Sequence, residues 1–165
     1  MKVFLKDVRT GKVVEGLIVE SNRNDMPLKK EKWNFDWRDL AKSDASLFYR
    51  VVTLNEPERI EGLLMLTLHY GEMVFMNNVE VAPRNFGSGG RFKNVAGILI
   101  SFACLKSFEL GKNNYRGFLS FESKTVLMKL YRDKYGAIPA MGQRMFIDEA
   151  GGKLLMQNYL NINTE

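Results

Sequence analysis

Glu72-Met-Val-Phe-Met-Asn-Asn-Val-Glu-Val-Ala82, then Pro83, then Arg84-Asn-Phe-Gly-Ser-Gly-Gly-Arg91, then Phe92-Lys-Asn-Val-Ala-Gly-Ile-Leu-Ile-Ser101 is the stretch on which the reading of this chain turns. The first block is rich in Val, Met and Phe and predicts a strand over 72–82. The second is a glycine-rich basic loop over 84–91. The third opens a long helix over 94–110, closed by Gly111 in the position favoured after a helix. A strand running through such a loop into a helix start gathers free backbone N–H groups at the positive end of a helix dipole. That arrangement binds anions, and phosphate is the usual occupant. Arg84, Arg91 and Lys93 stand in or beside the loop. Neither Gly-x-x-x-x-Gly-Lys-[Ser/Thr] nor Gly-x-Gly-x-x-Gly occurs, which argues against a P-loop nucleotide hydrolase and a dinucleotide enzyme.

Upstream, residues 2–8 and 13–20 flank Thr10-Gly11-Lys12 and predict a hairpin. Residues 21–34 form a polar loop with Pro27 and the charge run Lys29-Lys30-Glu31-Lys32, followed by a short helix over 36–44. Trp33 and Trp37 read as anchors of that loop to the core. Strands over 47–54 and 60–69 precede the 72–82 strand, and their short connections favour an antiparallel meander. Downstream come a strand over 116–121, a helix over 123–135 with Ser123 as its N-cap, a strand over 143–148 and a last helix over 149–160. Gly151-Gly152 weakens that last helix.

The chain has 165 residues, 45% hydrophobic and 26% charged, with a formal net charge of +5. That length suits one domain over 1–165 and excludes a disulfide scaffold or a disordered chain. Residues 1–82 hold 12 basic and 13 acidic side chains, and residues 83–165 hold 12 and 6, so the excess lies wholly in the second half. Anionic partners therefore belong to that half. The one cysteine, Cys104, sits in an apolar run and reads as a buried packing residue, and His69 is the one histidine. No Cys/His cluster offers a metal site and no Gly-x-Ser-x-Gly elbow offers a serine nucleophile. The longest apolar stretch is about half the ~20 residues that span a bilayer. Charges interrupt the first apolar run too early for a signal peptide, so a cytoplasmic protein with no membrane partner is expected.

The order of three antiparallel strands, basic loop, long helix, strand, helix and strand resembles the GNAT superfamily of acetyl-CoA-dependent acyltransferases, most clearly over 47–148. The resemblance implies an α/β fold with a mixed, mostly antiparallel central sheet flanked by helices. The family's pyrophosphate loop, Arg/Gln-x-x-Gly-x-Gly/Ala, fits two registers. Arg84-Asn-Phe-Gly87-Ser-Gly89 matches letter for letter, and Arg91-Phe-Lys-Asn94-Val-Ala96 matches with Asn for the central Gly. The second is preferred, because it sets the loop against the first helical turn and makes 84–90 an insertion. Asn tolerates a left-handed backbone, so Asn94 is read as a substitute for glycine. On this register the resemblance implies that Arg91, Lys93, Asn94, Val95, Ala96 and Gly97 bind the cofactor pyrophosphate and that backbone at Val81 holds the pantetheine arm.

Leu130-Tyr131-Arg-Asp-Lys-Tyr135-Gly136-Ala137 resembles the family's Leu/Phe-Tyr-x-x-x-Gly-Phe ending, with Ala137 in place of Phe. Tyr131 is then the candidate acid for the departing CoA thiolate, or else part of a core stripe with Leu127 and Leu130. Glu80, opposite in strand alternation to Val79 and Val81, is the candidate base for an amine that is mostly protonated at neutral pH; Glu72 is the weaker alternative. The expected activity is an N-acetyltransferase that uses acetyl-CoA as acyl donor and an amine acceptor: a small molecule, a peptide or an aminoacyl-tRNA. No metal is expected and a homodimer is allowed. A degenerate CoA-binding protein and a basic RNA-binding or RNA-modifying protein are the rival readings.

Overall fold

Alternating Val, Leu and Ile positions build β1 (Lys2–Lys6) and β2 (Val13–Ser21), which pair antiparallel from Lys2↔Leu17 to Lys6↔Val13. The computed structural model describes residues 1–163. β3 (Ser46–Thr53), β4 (Ile60–His69) and β5 (Met73–Val81) follow, with β3 antiparallel to β2 from Gly16↔Thr53 to Ser21↔Phe48. The strand order is β1-β2-β3-β4-β5-β6-β8-β7, where β6 is Leu119–Glu122, β7 Ile138–Pro139 and β8 Arg144–Ile147. β6 lies parallel to β5 and antiparallel to β8. Among the described residues, four α-helices accompany this mixed, mostly antiparallel sheet: α1 (Trp37–Leu40), α2 (Val95–Leu110), α3 (Thr125–Tyr135) and α4 (Glu149–Leu160).

The chain divides into two compact units, residues 1–65 with 78–99 and residues 66–77 with 100–163. In the first, Trp33 and Trp37 do anchor the long loop. They bury with Met26, Phe48, Leu63, Met65 and Ala82 in one apolar cluster. The expected 36–44 helix is only the one turn of α1, opened by Asp36, whose side chain accepts from the Asp39 N–H at 3.2 Å.

In the second unit the Phe118–Phe146 stack and the buried Leu119, Phe121, Met145 and Ile147 hold the β6–β8 pair. β6 begins at Leu119 rather than the expected 116, because the chain is still turning there: the Arg116 N–H donates to the Asn113 carbonyl and the Phe118 N–H to the Tyr115 carbonyl. Ser123 does not cap α3: its hydroxyl donates to the Lys124 carbonyl, and Lys124 holds the N-cap position without a side-chain bond. α4 forms in spite of Gly151-Gly152. The Asp148 carboxylate accepts from the Gly151 N–H at 2.8 Å, and a Cβ on Gly152 would stand 3.3 Å from that of Cys104. Close helix packing offsets the usual penalty of about 1 kcal/mol for glycine in a helix. Among the described residues no helix is long and apolar enough to cross a membrane.

Candidate active site

The parallel register of β5 with β6 runs from Val74↔Leu119 to Met76↔Phe121, so β5 extends past it through Asn77–Val81. Glu80 and Val81 lie in that extension. Both Glu80 oxygens accept hydrogen bonds from the 34–37 segment: Oε1 from the Asn34 N–H at 2.6 Å, Oε2 from the Trp37 indole N–H at 2.7 Å. The Phe35 N–H also reaches Oε2, at 3.5 Å. The carboxylate therefore staples the long loop to β5, and lone-pair capacity is left on Oε1. Glu72, near the other end of the strand, accepts from the Asn113 amide at 2.7 Å.

The loop after β5 is closed on itself. The Arg91 N–H donates to the Arg84 carbonyl at 3.0 Å, and Asn85 Oδ1 accepts from the Phe92 N–H at 3.1 Å. Its base rests on Glu61, a fully buried carboxylate of β4. Arg84 grips Glu61 with both Nε and Nη2, and the Asn85 amide donates to Oε2 at 2.7 Å. Burial pushes the Glu61 carboxyl above its ordinary value, and the Asn85 hydrogen bond pulls it back. Gly90 passes so close to Asn85 that a Cβ would lie 2.4 Å from the Asn85 carbonyl oxygen. Nothing in the residue pattern singled out Glu61 or Asn85, because a buried carboxylate looks like any other strand residue until its partner is located.

Residues 91–94 then run along β1. The Val8 N–H donates to the Arg91 carbonyl and the Lys93 N–H to the Lys6 carbonyl. Asn94 Oδ1 accepts from the Lys6 N–H and its Nδ2 donates to the Phe4 carbonyl, both at 2.9 Å. The left-handed backbone expected at Asn94 is absent: the non-glycine residues with positive φ are Lys32, Tyr70, Asn113 and Asn161. Asparagine serves here through its amide. The Ile98 N–H on the Asn94 carbonyl opens α2, so Arg91–Ala96 borders the first helical turn and Arg84–Gly89 lies in the preceding loop. Gly62 of β4 faces that turn, and a Cβ there would stand 2.7 Å from Val95 Cγ1 and 2.8 Å from Leu99 Cδ1.

The basic residues differ in freedom. The Arg91 guanidinium stands 3.6 Å from the buried Asp7 carboxylate and over the Phe92 ring. Lys93 is exposed, and its ammonium has no partner among the described residues.

In the second unit, α3 carries Tyr131 against Phe121 at 4.9 Å and Tyr135 at 6.0 Å between ring centroids. The expected stripe with Leu127 and Leu130 is not its setting, since both leucines are exposed. Burial pushes the Tyr131 phenol above its ordinary value, so it keeps its proton throughout the neutral range. Its hydroxyl has no hydrogen-bond partner among the described residues. Gly136, at φ +68°, ends α3 and sends its N–H back to Arg132. Burial pushes the Cys104 thiol up to about 12, which makes it a poor nucleophile. His69 stacks on Phe75 at 4.5 Å, and no metal-binding cluster occurs among the described residues.

A scan of protein-family models and a search of curated proteins both return no match. Solved structures do match. AtaTR bound with AcCoA is 14% identical over 86% of this chain and 98% of that one, with a TM-score of 0.61. The KacTA–DNA complex is 11% identical over 87% and 99%, with a TM-score of 0.63. A spermidine N-acetyltransferase SpeG variant from Vibrio cholerae is 16% identical over 83% and 95%, with a TM-score of 0.57. The chain has the fold of the GNAT acetyltransferases.

Proposed function

We propose that this protein is an N-acetyltransferase that uses acetyl-CoA as donor and an amine as acceptor, in one acyltransferase domain. The observation that carries the reading is the shared fold, since structures of this fold have been solved with acetyl-CoA bound. The residues present fit that donor. An exposed lysine, Lys93, lies beside the positive end of α2, and β5 runs on past its register with β6. Arg91, Lys93 and the backbone of Asn94, Val95, Ala96 and Gly97 would hold the pyrophosphate, and the Val81 backbone the pantetheine arm. Acetyl-CoA supplies an activated thioester carbonyl.

Glu80 takes a proton from the acceptor ammonium, directly or through a water, which frees the nitrogen lone pair. The amine nitrogen would then bond to the acetyl carbon as the carbon–sulfur bond breaks, with Tyr131 giving its proton to the departing thiolate. The second nitrogen proton, released as the amide forms, would pass through water to restore the phenol. Neither Cys104 nor a metal is needed. A second reading, CoA binding without turnover, draws support from Asn94, whose amide is committed to β1. Release of free CoA thiol across a panel of primary amines tests the choice. Acceptor-dependent release supports transfer, and acetyl-CoA binding with no release from any amine supports the second reading.

A further inference from the structure

Beneath the 25–33 loop the first unit opens a cleft of about 430 Å³. Trp33, 8% exposed, reaches it from the buried cluster, and Pro27, Ile60 and Pro83 add apolar surface among the charged groups of the rim. The chain segment above it is held in place by its aromatic anchors, Trp33 and Trp37. A concave apolar wall with a few polar groups at its rim is the usual form of a small-molecule site.

The rim charges are unevenly compensated. Arg84 is taken by Glu61, Arg59 by Glu56 at 3.1 Å, and Asp25 by Arg50 at 3.0 Å. Glu58 has neither hydrogen bond nor ion pair among the described residues. Glu31 is engaged through Oε2 with the Leu28 N–H, and no cation is paired with it. The cleft therefore combines a strip of apolar surface beside the Trp33 edge with two carboxylates, Glu31 and Glu58, that have no paired cation, in a protein whose net charge is +5.

We propose that this cleft binds an organic ammonium with an apolar body, a primary amine carrying an aryl or alkyl group, and that it is the acceptor subsite. The apolar group lies on the Trp33 side and the ammonium meets Glu58 and Glu31. Assignment as acceptor subsite rests on the acetyltransferase reading, whereas binding does not. The chain leads from the cleft to the proposed base: Ala82 follows Glu80 by two residues, and the Asn34 N–H that holds Glu80 Oε1 is next to Trp33.

The full chain contains two tryptophans, Trp33 and Trp37, so two indole N–H resonances report on the site. Titration without acetyl-CoA uses 2-phenylethylamine and hexylamine, with 2-phenylethanol as the uncharged analogue of the first. Both amines should shift the Trp33 resonance saturably, with the alcohol at least about tenfold weaker, as for loss of a charge-assisted contact. Glu58→Gln, at an exposed position, should weaken amine binding by about fivefold, the scale of one exposed ion pair. An alcohol that binds as well as the amine, or a Glu58→Gln protein that binds the amine unchanged, overturns the proposal. So does a Trp33 signal that stays put at millimolar amine. Saturable amine binding without CoA release would sink the acetyltransferase reading and leave the site standing. CoA release indifferent to Glu58→Gln would do the reverse.

Discussion

Asn94 shows how one side chain can tie a helix start to a distant strand. Its amide joins two main-chain groups of β1, so Asn94→Ala would leave the Lys6 N–H and Phe4 carbonyl without it. A loss of about 1–2 kcal/mol of stability is expected from two hydrogen bonds, with faster hydrogen exchange at Lys6 as the local sign. Glu61→Gln should cost about 3 kcal/mol in urea unfolding, because the Arg84 guanidinium would keep its partly buried place without a counter-charge. Trypsin should then cut at Arg84 or Arg91 sooner than in the parent protein. Tyr131→Phe should lower turnover by about a hundredfold, the usual scale for one proton donor, and leave acetyl-CoA affinity nearly intact. The sign of the pH effect follows from burial. A phenol raised above its ordinary value stays protonated at neutral pH, so the parent rate falls only on the strongly alkaline side. Tyr131→Phe should abolish that alkaline fall.

At the scale of elements, most of the architecture was legible because each strand and helix carries its own period. Residues 60–69 read as a strand and are β4, and Gly111 marks the end of α2. What was not legible depends on partners distant in the chain. Ser123 has the chemistry of a cap, yet the backbone turns at Lys124 and the hydroxyl bonds elsewhere. β7 has two residues, too few to show a period. Of the proposed site, Tyr131 and the basic loop were visible as motifs, whereas the Glu61 anchor and the Gly62 contact appear only when β4 meets its neighbours. Gly62→Ala tests the latter. A Cβ within 2.8 Å of Val95 Cγ1 and Leu99 Cδ1 must push aside those side chains or the start of α2 that carries them. The expected cost is about 1–3 kcal/mol, with a rise in the acetyl-CoA dissociation constant larger than any change in kcat.

For the molecule as a whole, the proposed donor and acceptor sites would differ in the sign of their unpaired charge: Lys93 at the start of α2, and Glu31 and Glu58 at the rim of the cleft. Lys93→Glu should weaken acetyl-CoA binding and leave 2-phenylethylamine binding unchanged, and isothermal titration of each ligand distinguishes them. Added salt should weaken donor binding as the Debye length contracts below about 10 Å.

The Asn94 staple also sets a schedule. The Lys6 N–H and the Phe4 carbonyl meet Asn94 across 88 and 90 residues of chain. A ribosome adding about 5–20 residues per second needs roughly 4–18 s to bridge that gap. Through that interval β1 and β2 can form their hairpin, but the outer edge of β1 waits as an open template for any other nascent strand. The late arrival of residues 91–94 thus closes an aggregation-prone edge as well as starting α2, and slowing translation just before Asn94 should lower the yield of soluble protein.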